Sequence, residues 1–100
     1  MENHAKVVII GGGVVGCSLL YHLSKFGLKD CILLERNELT SGSSWHAAGN
    51  VHVISSDPNI SRMMAYTIGL YKEIEKESGH STGFKPSGGF YLASNDVWAE

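Results

Sequence analysis

Val7-Val8-Ile9-Ile10 is an unbroken apolar, β-branched run that ends on glycine, the pattern of a strand buried on both faces of a parallel sheet. From Val14 the period changes: Val15, Leu19, Leu23 and Phe26 recur at spacings of 4, 4 and 3, with Ser18, His22 and Lys25 between them. This predicts a helix reaching to about Gly27, its stop signal. Cys31-Ile32-Leu33-Leu34 is a second apolar run, closed by Glu35. Strand, helix and strand within about thirty residues predict a right-handed βαβ unit.

Residues 37 to 57 are rich in Ser, Gly, Asn, Thr and His and follow neither period, so they predict a loop long enough to have a function. Asp57 can cap the next helix, Pro58 suits its first turn, and Gly79 ends it. Ile60, Met63, Met64, Ile68, Tyr71 and Ile74 form its apolar stripe, so both methionines are expected in the core. Lys72, Glu73, Glu75, Lys76 and Glu77 are expected to form its solvated face. Phe84-Lys85, a Pro-Ser-Gly-Gly turn and Phe90-Tyr91-Leu92-Ala93 predict a hairpin or the start of a second sheet. Ser94 or Asn95 then resembles a cap opening another helix.

These elements are too few to cover both faces of a parallel sheet, so the chain is expected to be the N-terminal piece of a larger protein. Composition agrees with a folding chain: 100 residues, 43% hydrophobic, 18% charged. Eight Lys+Arg against ten Asp+Glu give a formal charge of -2, with no basic run to track nucleic acid or an anionic membrane. Four glycines and His22 break up the apolar stretch from Val7 to Leu23, which therefore reads neither as a span nor as a signal peptide. Cys17 and Cys31 have no CxxC partner and read as small buried residues of a reducing compartment. The expected location is cytoplasmic, or the mitochondrial matrix where a presequence precedes the chain. His4, His22, His52 and His80 lack metal-ligand spacing, and no metal site is expected.

The chemistry centres on Gly11-Gly12-Gly13-Val14-Val15-Gly16, a G-x-G-x-x-G that follows a buried strand, opens a helix and precedes Glu35 by 24 residues. In such a site Gly11 permits the tight turn, Gly13 admits a pyrophosphate to the backbone, and Gly16 lets helix and strand pack closely. The amides of Val14 and Val15 at the helix start favour phosphate, and Glu35 accepts from a ribose 2′-hydroxyl, which disfavours NADP. The motif does not separate NAD from FAD, since both carry an ADP half. Thr40-Ser41-Gly42-Ser43-Ser44 follows the second strand's carboxyl end, where its hydroxyls and N–H groups, those of Ser43 and Ser44 included, could meet a pyrophosphate or a flavin's ribityl chain or simply face solvent. On its own, His46 in the next segment is more often a surface residue, and Trp45 could equally be a core anchor.

Val-Val-Ile-Ile-Gly-Gly-Gly-x-x-Gly, Leu-Leu-Glu-Arg (residues 33–36) and Leu-Thr-Ser-Gly-Ser-Ser-Trp-His-Ala-Ala-Gly (39–49) together resemble the N-terminal part of dimethylglycine and sarcosine dehydrogenases and related FAD-dependent N-methylamine oxidases. The resemblance runs over the whole chain, and Trp-His-Ala-Ala-Gly is its specific part. It implies a Rossmann-like βαβ start of a doubly wound α/β FAD-binding domain of the glutathione-reductase and D-amino-acid-oxidase type. It divides the chain into a first FAD-binding segment at 1–57 and the beginning of a substrate domain at 58–100.

The cofactor implied is FAD, with Glu35 and Arg36 at the end of the second strand and His46 matching the histidine that the family joins covalently to the flavin 8α carbon. The reaction implied is oxidation at CH–NH: hydride passes from a small N-methylated amino acid to the flavin. The electron acceptor is an electron-transfer flavoprotein or O2, and water releases formaldehyde unless a later, C-terminal part captures the one-carbon unit on tetrahydrofolate. Catalytic residues are expected beyond residue 100. Leu20 departs from the family, which more often has alanine facing the sheet there. A non-catalytic flavoprotein-like regulatory module and an NAD-linked dehydrogenase are the alternatives; the Trp-His element has no role in the latter.

Overall fold

The structure, a computed structural model, describes residues 3–90 and residue 92. Among these the regular elements are β1 (Val7–Ile10), α1 (Val14–Lys25), β2 (Cys31–Leu34) and α2 (Pro58–Ser78). They fall into two compact units, 1–49 and 50–100.

In the first unit β1 and β2 pair in parallel, Val7 opposite Cys31 and Ile10 opposite Leu34. Two parallel strands cannot be joined by a hairpin, and α1 makes the crossover. The ladder extends one residue past β1, where the Gly11 amide donates to the Leu34 carbonyl at 2.8 Å. There the chain leaves the strand direction, with Gly11 at φ +108, a conformation that side-chain-bearing residues rarely adopt. At the other end of α1, Gly27 (φ +96) closes a Schellman motif: its amide donates to Ser24 and that of Leu28 to Leu23, each at 3.0 Å.

The face that α1 turns to the strands differs from the stripe that the sequence suggests. Val15 and Phe26 are 78% and 84% exposed, and Leu19 is exposed as well. The half-buried residues of α1 are Gly16, Cys17, Leu20, Tyr21, His22 and Leu23, of which Leu23 alone belongs to the expected stripe. Gly16 sets this rotation: its Cα comes so close to the Gly11 carbonyl that a Cβ there would overlap the oxygen. With position 16 against the turn, positions 20 and 23 follow on the same side, and 15, 19 and 26 rotate away by most of a quarter-turn. Leu20 thus occupies the strand-facing line.

Ile9, 6% exposed, is the buried hydrophobic residue at the centre of this unit, while Val8 and Leu34 are exposed and Ile10 is 87% exposed. A two-stranded parallel sheet with one crossover helix leaves such apolar positions uncovered. Cys17 and Cys31 are half-buried free thiols.

In the second unit, Asp57 caps α2: its Oδ1 accepts from the amides of Asn59 at 2.7 Å and Ile60 at 3.3 Å. Gly79, at φ +73, ends the helix. The segment after it folds back, placing Phe84 against Tyr71 with ring centroids 6.1 Å apart. Thr82 donates to Glu75 Oε1 from its amide at 2.9 Å and its hydroxyl at 2.6 Å. These bonds, the hydroxyl's first, hold the Glu75 carboxyl below the ordinary glutamate value.

Met64, Ile68, Tyr71 and Ile74 lie on the half-buried face as expected, whereas Ile60 in the first turn is exposed, and Glu73 and Glu75, expected on the solvated face, are half-buried. Met63 is exposed rather than core, because it sits one position, about 100°, from the line through Met64. Residues 81–90 are irregular. The expected return strand falls partly on Tyr91 and Ala93, and the expected cap at Ser94 or Asn95 lies wholly outside the described residues.

Candidate functional site

The turn between β1 and α1 gathers partners from two later segments of the first unit. Strand β2 ends one residue before Glu35, which places this carboxylate beside the turn. The Gly12 amide donates to Glu35 Oε1 at 3.3 Å and the Asn37 amide to Oε2 at 3.4 Å, so backbone donors hold both oxygens.

The loop after β2 then folds onto the same turn. The Thr40 amide donates to the Gly12 carbonyl at 2.8 Å, with Thr40 itself at φ +62. Four residues later, Ser44 Oγ accepts from the Val14 amide, also at 2.8 Å. From Gly42 the chain runs through consecutive tight turns, with the amides of Trp45 and His46 donating to the carbonyls of Gly42 and Ser43 at 3.2 and 3.1 Å. His46 Nδ1 lies 2.8 Å from the Gly42 carbonyl oxygen.

Of the residues singled out in the sequence, the structure brings together Gly11, Gly13, Val14, Gly16, Glu35 and Ser44. The Val15 side chain points away, and its backbone forms the first turn of α1. Arg36 and Ser43 are exposed on the flanks, and His46 is exposed two residues beyond Ser44. Trp45 is exposed too, so it does not act as a core anchor here. The sequence reading gave Gly12 no role of its own and expected Thr40 to face a ligand rather than to tie the loop to the turn. Both act through backbone atoms, and Gly12 occupies a free position of the motif, so residue type carried no signal. No cluster of metal-ligating side chains occurs among the described residues.

Helix α1 starts without a side-chain cap from Gly13 and without an acidic residue in its first turn. Its first amides thus form an electropositive end that seeks an acceptor. A hydroxyl oxygen from Ser44 meets one of them, in the manner that an anionic oxygen would. A Cβ on Gly13 would lie 3.2 Å from that oxygen and fill the approach to it. Amide donors at a helix start, a cradle free of Cβ atoms and a carboxylate at the end of the second strand fit the ADP half of a dinucleotide.

Comparison with known proteins agrees. The model of the DAO family, described as FAD dependent oxidoreductase, matches residues 6–100. Human mitochondrial dimethylglycine dehydrogenase is 46% identical over 96 residues, which are 96% of this chain and 11% of that enzyme. Human mitochondrial sarcosine dehydrogenase is 44% identical over 96 residues, 95% of this chain and 10% of that enzyme. The regulatory subunit of mouse mitochondrial pyruvate dehydrogenase phosphatase is 40% identical over 93 residues, 93% of this chain and 11% of that protein. The chain therefore spans about a tenth of the length of these relatives. With its parallel βαβ start and its glycine turn, the chain belongs to the DAO family of FAD-dependent oxidoreductases.

Proposed function

We propose that this chain is the cofactor-binding start of an FAD-dependent enzyme that oxidises the CH–NH bond of a small N-methylated amino acid such as dimethylglycine or sarcosine. The observation that carries this reading is the similarity to two dehydrogenases of such substrates along nearly the whole chain, including the Trp45-His46 loop. FAD, when bound, supplies the hydride acceptor.

The chain's own residues bind and orient. The α1 amides and Ser44 face the pyrophosphate, with Ser43 and Arg36 at its margins, and Glu35 accepts from the adenosine ribose. His46 is the attachment point for the flavin ring. Residues 1–57 form the first FAD-binding segment, and 58–100 lead into the substrate domain. The acceptor of the electrons is an electron-transfer flavoprotein or O2, the one-carbon unit leaves as formaldehyde unless a later domain captures it on tetrahydrofolate, and the location is the mitochondrial matrix or the cytoplasm.

Two measurements on the whole flavin-loaded enzyme test this, since the 100 residues alone, lacking the catalytic residues and much of the cofactor envelope, are expected to hold FAD weakly and to be inactive. After acid precipitation the yellow colour should stay with the polypeptide; complete release of flavin would remove the role of His46. Anaerobic addition of dimethylglycine or sarcosine should bleach the flavin absorbance. A second reading, a regulatory module, is favoured by the similarity to the phosphatase regulatory subunit, and bound flavin that neither substrate bleaches would select it.

A further inference from the structure

His46 is bonded within its own turn. Its Nδ1 lies 2.8 Å from the Gly42 carbonyl oxygen, four residues earlier. A carbonyl oxygen only accepts, so the ring proton is on Nδ1, and in the neutral imidazole the lone pair is left on Nε2. A histidine side chain free in water prefers the opposite tautomer, so the contact reverses the ordinary preference. Among the described residues no hydrogen bond engages Nε2, and the residue is exposed.

The accepting oxygen is itself well placed to direct the ring. It takes the Trp45 amide at 3.2 Å as well, so both of its lone pairs are used. The turn carrying it is tied down on either side, by the Thr40 amide on the Gly12 carbonyl and by Ser44 Oγ on the Val14 amide. The ring's orientation is thereby referred to the glycine turn, the same feature that would fix the adenosine end of the cofactor.

We propose that the Gly42 carbonyl is the positioning group for His46: it holds the imidazole as the Nδ1–H tautomer and presents Nε2 as the nucleophilic atom. This rests on the reading of His46 as the flavin-attachment residue, and adds the group that selects the reacting nitrogen. A side chain that merely packed in the loop would need no particular tautomer.

The test is long-range 1H–15N correlation on the flavin-free chain with 15N-labelled histidine, at alkaline pH where the ring is neutral. The expected result is a pyridine-type Nε2 and a protonated Nδ1 for His46. Replacing Ser43 by its α-hydroxy-acid analogue turns the Gly42–Ser43 amide into an ester, weakens the Gly42 carbonyl as an acceptor and leaves every side chain in place. The Nδ1–H to Nε2–H ratio should then fall roughly 2- to 10-fold, the share of a single hydrogen bond.

A pyridine-type Nδ1 in the unmodified chain, or a ratio that the ester leaves unchanged, overturns the proposal. Where the ester variant does not fold, a coupling across the hydrogen bond between His46 Nδ1 and the Gly42 carbonyl carbon in the unmodified chain decides: its detection supports the assignment and its absence overturns it. The two readings fail separately. Acid-released flavin with an Nδ1–H ring removes the attachment role and leaves the Gly42 assignment standing, whereas acid-stable flavin with a lone pair on Nδ1 removes the Gly42 assignment alone.

Discussion

Replacing Gly16 by alanine probes the closest approach in the first unit. A Cβ at this position would overlap the Gly11 carbonyl oxygen, lie 3.1 Å from its carbonyl carbon and meet Ile9 Cγ2 at 3.4 Å. The obstacle is backbone, so no rotamer change relieves it, and α1 must withdraw by about an ångström to reach even the short limit of real contacts. That movement pulls the Val14 amide off Ser44 and disturbs the Gly12 amide at Glu35. Overpacking of this kind costs about 1–3 kcal/mol. Alanine's helix preference returns at most about 1 kcal/mol. Because the overlap is with backbone, the cost lies at the upper end of that range, and the net loss, about 2 kcal/mol, lowers the folding equilibrium by roughly 30-fold.

Urea titration of G16A followed by far-UV circular dichroism measures it, and amide exchange at Gly12 and Val14 should quicken in parallel. Gly69→Ala in α2, where nothing lies within 4 Å of the new Cβ, is the control and should be neutral or stabilising by up to about 1 kcal/mol. G16A as stable as the parent chain would refute the close approach, and with it the glycine-turn geometry that fits the ADP half of the cofactor.

Three further outcomes are expected. Ser44→Ala removes the acceptor from the Val14 amide and should cost about 0.5–1.5 kcal/mol, seen as faster exchange of that amide and of Thr40; unchanged exchange would mean the loop is held by other contacts. Asp57→Ala removes the cap of α2 and should cost about 0.5–2 kcal/mol, with loss of helical signal concentrated at Asn59 and Ile60. The Glu75–Thr82 contact should depend on pH. Because the folded carboxyl titrates below its unfolded value, its contribution is complete above the ordinary glutamate range near ~4.3 and is lost as pH falls through the depressed folded value. The Thr82 amide resonance should follow that loss, Glu75→Gln should abolish the pH response, and a Thr82 shift that persists in E75Q would assign it to another group.

The four regular elements were legible in the chain because each is punctuated locally. Apolar runs stop at Gly11 and Glu35, the Schellman glycine stands at Gly27, and Asp57, Pro58 and Gly79 bracket α2; in each case the residue that ends the element also decides its backbone geometry. The glycine fingerprint and Glu35 were legible for the same reason, since the spacing of a βαβ unit is a local property of chain length. The packed face of α1 was legible from the glycine motif, which sets Gly16 against the strand, and not from the apolar periodicity: of Val15, Leu19, Leu23 and Phe26 only Leu23 is half-buried, because the rotation is set by the one position that lacks a side chain.

The docking of the loop on the turn was hidden, because Thr40, Gly12 and Gly42 act through backbone amides and carbonyls that every residue carries. Residue order alone thus determined where strands and helices begin and end and which motif joins them. Tertiary structure decided which oxygen meets the first amide of α1, which backbone donors hold Glu35 and which carbonyl lies beside His46 Nδ1, since each depends on groups distant in sequence or on backbone atoms common to all residues.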